Sequence, residues 1–315
     1  MTTLTKLQKY RSAVRPPPQD DSVARNRSLC ALSGLQYGNL FSARPIQKRI
    51  RRALAQHIRF ASALAGRLIG RSVIQPLQPA ADPQDLIHGL TIILPGIEAI
   101  GPYPEEIRAG LRDGRVPGAI HIFQWGVPFP EGYFRNLMDI RCNRRQAAAL
   151  AAIILAHQNQ YPRSPIHLVA NSGGAGPALM AIEMLPLDCP ITGLAIVAGA
   201  VSCGYNLQPV LTRCSKGVIN VYSHRDAVML NIGTRIFGTA DRKFAASCGY
   251  RGFTMRSDKL QQMAWAPAYG PLYGWWGTHG TSTSREFISC HIARWIKASA
   301  TTANRHATFA FERPL

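Results

Sequence analysis

The chain has 315 residues, 46% apolar and 8% aromatic, enough to bury the core of one large domain and unlike a collagen, a coiled coil or a wholly disordered chain. Its formal net charge of +19 predicts attraction to phosphates, anionic lipid or acidic partners, but that is a statement about encounter and not about chemistry. Seven cysteines with no CxxC pair and no zinc spacing argue against a complete disulfide framework and against a metal centre, although Cys203 and Cys214 could meet in an oxidising compartment.

Residues 1–43 read as a basic tail, stiffened at Pro16, Pro17 and Pro18 and without periodicity, for which disorder is expected. Residues 44–85 read as a helical extension and linker. Ile46, Ile50, Leu54, Ile58 and Ala61 fall at helical spacing with arginines between them, so a basic amphipathic helix is expected over 45–71, packed on the main domain or lying on an anionic membrane. "QPLQPAADPQD" at 75–85 then reads as a proline-punctuated linker. The start carries no apolar stretch of the secretory kind, and no run of about 18 apolar residues occurs, so the chain is expected to be cytoplasmic, at most peripheral to a membrane.

From residue 90 short apolar runs alternate with helical segments. Strands are expected in "LTIILPG" (90–96), "AIHIFQW" (119–125), "IHLVAN" (166–171), "ITGLAIVAG" (191–199) and "GVINVYS" (217–223). Helices are expected in "QAAALAAIILAHQN" (146–159), in "GPALMAIEML" and over 284–298. Alternation of this kind implies parallel pairing, and the near-continuous apolar character of the strands implies a sheet buried on both faces. The fold class is therefore α/β, a mostly parallel central sheet covered by helices on both sides over residues 86–300, with 301–315 as a tail.

"LVANSGGAGPALM", residues 168–180, places Ser172 between an apolar strand and a helix. Ala170, Asn171, Ser172, Gly173 and Gly174 fill the pattern small-x-Ser-x-Gly, with alanine where the first glycine usually stands. Small residues are needed there because side chains two before and two after a serine in so sharp a turn would collide. A glycine-rich strand-to-helix turn can instead bind phosphate, but neither a dinucleotide fingerprint nor a following Gly-Lys-Thr is present.

Two further residues complete an order. Asp226 lies just beyond an apolar strand in "GVINVYSHRDAVM", with Asp241 and Asp258 as alternatives. His279 lies in "GWWGTHGTS" just before the terminal helix, with His224 and His291 as alternatives. In pattern and order the chain resembles the α/β-hydrolase superfamily of serine esterases, lipases and relatives, over roughly residues 88–298.

That resemblance implies that Ser172 attacks a carbonyl carbon, His279 carries its proton and Asp226 orients the imidazole. It implies an oxyanion hole from the N–H groups of Gly173 and of Ile97 (or its neighbour Gly96) in "ILPGIEAIG". Tyr273, Trp275 and Trp276, leading to His279, are expected either to line an apolar substrate pocket or to be core, and "WGVPFPEGYF" (125–134) to form another wall or a lid. The expected activity is hydrolysis of a carboxylic ester, lipid-like esters and thioesters included, through an acyl-enzyme intermediate, without metal or organic cofactor. Acyl transfer by the same residues, or a non-catalytic protein docked to anionic surfaces through its basic N-terminal region, are the alternatives. No nucleic-acid motif is present.

Overall fold

A computed structural model describes residues 82–99, 101–127 and 132–298. The expected tails at 1–43 and 301–315, the basic helix at 45–71 and all but the end of the linker lie outside the described residues. At that end, the Asp82 side chain accepts from the Gln84 N–H (2.8 Å) and caps a short helix, α1 (Pro83–His88), where a continuous linker is expected.

Six strands form one sheet: β1 (Leu90–Leu94), β2 (Ala119–Ile122), β3 (Ile166–Asn171), β4 (Ile191–Val197), β5 (Cys214–Tyr222) and β6 (Leu260–Ala264). Their order is β2-β1-β3-β4-β5-β6 and every pairing is parallel. Between them run α2 (Pro102–Asp113), α3 (Tyr133–Met138), α4 (Ile140–Gln160) and α5 (Ala175–Glu183).

Both faces are buried, as the apolar strands imply. Ile92, Leu94, Leu168, Ala170, Leu194 and Ile196 point to one side, where Leu150 and Ile154 of α4 and Ala178 and Ile182 of α5 cover them. The alternate residues Ile93, Val169, Ala195 and Val197 point to the other, against Ile107 and Leu111 of α2 and Phe287, Ile288 and Ile292 of the terminal helix.

The differences from expectation have physical causes. β6, "LQQMA", is an edge strand with no buried face, so it lacks any apolar pattern; Gln262 instead exchanges hydrogen bonds with the Phe253 backbone (2.6 and 2.9 Å). Helix α2 packs by approach rather than by bulk, since a Cβ on Gly110 would lie 2.7 Å from Ile288 Cβ, and its apolar stripe is correspondingly thin. α4 begins six residues earlier than its alanine run because Asp139 caps the Cys142 N–H (2.9 Å).

After β1 the chain moves outward to β2 and then returns past β1 to β3. The strand order therefore reverses between β1 and β3, and in a parallel sheet the crevice at the carboxyl ends of two such strands is where ligands bind. The loops leaving β1 and β3 are "PGIE" and "SGG".

Candidate active site

β3 ends at Asn171, and Ser172 turns the chain with φ +50°, a left-handed conformation costing a non-glycine residue about 1–3 kcal/mol. Neighbours force the turn and hold it. A Cβ on Gly174 would lie 2.3 Å from the Pro95 carbonyl oxygen, and one on Gly173 would lie 2.4 Å from Ile97 Cγ2, so both glycines are required by close approach. The Ser172 carbonyl accepts from the Ala200 N–H (2.9 Å), and the Asn171 amide donates to the Val197 carbonyl (3.2 Å), tying the turn to the end of β4. Ala170 is fully buried in the core, where its methyl is accommodated in place of the usual glycine. Ser172 itself is 5% exposed.

Its hydroxyl lies 3.0 Å from His279 Nε2, and His279 Nδ1 lies 2.6 Å from Asp226 Oδ2. The tautomer assigned by this geometry has Nδ1–H donating to Asp226 and Nε2 accepting from the serine. Asp226 is held in the turn that follows β5, its N–H on the Ser223 carbonyl (3.1 Å). The loop leading to His279 passes close beside that turn: Gly277 adopts φ +84°, and a Cβ there would lie 3.0 Å from Ser223 Oγ. Burial lowers the His279 pKa, but the charge and hydrogen bond of Asp226 and the charge of Glu98 outweigh it, leaving the imidazole above its ordinary value.

The alternatives are engaged elsewhere. Asp241 holds the Ser202 N–H (2.8 Å) and hydroxyl (2.5 Å), and Asp258 is exposed. His224 is exposed, edge-on to Tyr222 and Tyr250. His291 lies among Tyr269, Tyr273 and Phe287, where burial pushes its pKa down to about 4. Cys203 and Cys214 are both unpaired thiols.

The loop after β1 is fixed atom by atom. Trp125 Nε1–H donates to the Pro95 carbonyl (2.8 Å), Asn136 Nδ2–H to the Ile97 carbonyl (2.8 Å), and the Gly96 N–H to Glu98 Oε1 (3.2 Å). The Gly96 N–H is thereby spent. The Ile97 N–H has no hydrogen-bond partner among the described residues, and it lies 3.4 Å from where a Gly173 Cβ would stand.

Glu98 is a residue that sequence reasoning missed. It is 7% exposed, and burial raises its pKa against the opposing pull of its backbone N–H bonds and of His279. The available signal was a lone carboxylate in the apolar run "IILPGIEAI", two residues past the turn glycine.

The aromatic segment before His279 divides. Trp275 is 1% exposed, stacked on Tyr269 (5.7 Å) with Phe287 at 4.5 Å, so it belongs to the core under the terminal helix and cannot line an open pocket. Tyr273, partly buried, meets His291 edge-on at 4.7 Å in the same cluster. Trp276 is partly exposed, and its N–H donates to Thr281 Oγ1 (3.1 Å) in the His279 turn. The proposed wall at 125–134 falls partly outside the described residues. Among the described residues no group of His, Cys, Asp or Glu has the geometry to hold a metal, and no helix is long and apolar enough to cross a membrane.

No protein-family model matches the chain, and no curated protein matches it in sequence. Among solved structures it is similar to carboxyl esterase 2 of the mycorrhizal fungus Tuber melanosporum, at 11% identity and a TM-score of 0.40, over 70% of this chain and 81% of that one. It is also similar to fungal esterases of Rhizomucor miehei, at 12% identity and a TM-score of 0.40, over 74% and 78%. A third similarity is to the RedJ thioesterase of the prodiginine biosynthetic pathway in Streptomyces coelicolor, at 13% identity and a TM-score of 0.30, over 76% and 98%. The parallel sheet, the serine at a strand-turn-helix elbow, and the acid and histidine after later strands are features of the α/β-hydrolase fold, and the chain has that fold.

Proposed function

We propose that the chain is a serine hydrolase that cleaves a carboxylic ester through an acyl-enzyme intermediate. The observation that carries this reading is the unbroken hydrogen-bonded line from Ser172 through His279 to Asp226, set in a strained elbow beside an unspent N–H. Ser172 Oγ attacks the carbonyl carbon while His279 Nε2 takes its proton, and Asp226 stabilises the resulting imidazolium. The tetrahedral oxyanion is received by the N–H groups of Ile97 and Gly173, each worth about 3 kcal/mol of barrier. Ile97 is preferred to Gly96 because the Gly96 N–H is already given to Glu98. His279 then passes its proton to the leaving alcohol, and water repeats the sequence to release the acid.

Labelling the purified protein with a fluorophosphonate and mapping the modified peptide tests the assignment. Modification at Ser172 alone, absent after heat denaturation, is the expected result, followed by turnover of p-nitrophenyl esters. Unmodified Ser172 in folded protein sinks it.

A further inference from the structure

Six of the eleven large apolar side chains exposed among the described residues lie in one stretch: Val228, Met229, Ile232, Ile236, Phe237 and Phe244. Their exposure runs from 36% at Met229 to 72% at Val228. Val228, Ile232 and Ile236 recur every fourth residue along a helical segment, forming a stripe turned to solvent.

The stripe is tied to the segments that carry the Ser172 site. It starts two residues after Asp226, whose carbonyl accepts from the Leu230 N–H (3.1 Å), and its far end is tied to the loop after β4 by the Ala240 N–H on the Ala200 carbonyl (2.9 Å). Helix α3, whose Asn136 holds the Ile97 carbonyl, packs beside Thr234–Phe237.

Its exposed charges are of one sign. Arg235 and Lys243 are exposed, and Arg242 lies over the Phe244 ring at 5.6 Å. The single carboxylate between 228 and 244, Asp241, is occupied by Ser202. Apolar side chains interleaved with cations are what an anionic lipid interface receives: hydrocarbon takes the first and headgroup phosphate the second.

Two other occupants fit worse. The chain's own segment at 45–71 carries Lys48, Arg49, Arg51, Arg52, Arg59, Arg67 and Arg71, the same sign as the surface it would cover. A second copy joined by a two-fold axis would set this positively charged patch against the same patch of its partner.

We infer that residues 228–244 form a docking surface for an anionic lipid interface, which holds the mouth of the Ser172 site against the lipid. Docking stands on its own observations. Its consequence, that the ester is drawn from the lipid phase, rests on the function proposed above.

The test uses the full chain with phosphatidylcholine vesicles, with and without phosphatidylglycerol. Sedimentation with the anionic vesicles is expected, with slowed amide hydrogen exchange over 228–244 in the bound protein. The variant Ile232→Ser, Ile236→Ser, Phe244→Ser, altered only at exposed positions, should lose binding by about tenfold or more while keeping fluorophosphonate labelling in solution. Unchanged exchange over 228–244 in vesicle-bound protein, or undiminished binding by the triple variant, overturns the inference, as does lipid-free dimerisation that protects this stretch. Loss of Ser172 labelling with docking intact would count against the ester reading alone.

Discussion

Gly174 stands so close to Pro95 that a Cβ on it would lie 2.3 Å from the Pro95 carbonyl oxygen, which means that the serine elbow and the loop after β1 are built against each other. Backbone cannot yield as a flexible side chain can. Gly174→Ala should therefore cost about 1–3 kcal/mol of stability and part the Ile97 N–H from Ser172, abolishing labelling. Gly204→Ala, where nothing lies within 4 Å of the added methyl, is the control and should melt like the native protein. Equal melting and labelling in the two variants would refute the coupling.

Asp226→Asn keeps the side chain's shape but removes the negative charge and can set an NH2 donor against Nδ1, so the imidazole proton is no longer held there. Ester turnover should fall by about 10⁴-fold with little change in melting temperature. Asp241→Asn, at a carboxylate that accepts from Ser202, should leave turnover within a few-fold of native. A reversed ranking in steady-state kinetics would move the acid to Asp241.

The pattern of Ser172, Asp226 and His279 was legible because each sits where local physics is strict. β3 and β5 are buried on both faces and so read as apolar runs, and the elbow tolerates only small residues around its serine. Three things escaped for the opposite reason. β6 is an edge strand paired with β5 and tied by its Gln262 amide to the Phe253 backbone, which leaves no periodic trace. Glu98 acts on a backbone N–H two residues away and on a histidine distant in sequence, and neither contact has a pattern. Trp275 reads equally as pocket wall or core from its place before His279, and only Tyr269 and Phe287, brought in by the fold, decide for core.

Glu98 gives the activity profile a second electrostatic control. Turnover needs neutral His279, so the acid limb of kcat/KM follows the imidazole pKa, which Asp226 and Glu98 hold above the ordinary value despite burial. Glu98→Gln keeps an acceptor for the Gly96 N–H but removes the anion. The acid limb should move to lower pH, with Ser172 still labelled at neutral pH. The group also shows in stability. Its folded-state pKa is raised by burial, so native Glu98 stabilises the fold least once pH rises past that value. The melting temperature of Glu98→Gln relative to native should therefore climb as pH rises above 4.5. An acid limb that does not move would show that Glu98 exerts no field on His279.

Two imidazoles away from the site weaken the fold in acid. His167, in β3 and edge-on to Trp295, is pushed down to about 3 from an ordinary 6.5 by burial and then by Lys216; His291 falls to about 4 through burial and Arg294. Both are neutral in the folded chain, and each has a buried Nε2 without a partner in the described residues. The unfolded chain binds these protons first, so stability is complete above about pH 6.5 and is lost as pH falls toward the folded values, by up to about 1.4 kcal/mol per pH unit for each group. His167→Leu removes one of the two protons. Its denaturant midpoint should fall less steeply than that of native protein between pH 6.5 and 4, and parallel pH dependences would show that the β3 imidazole already titrates within the fold.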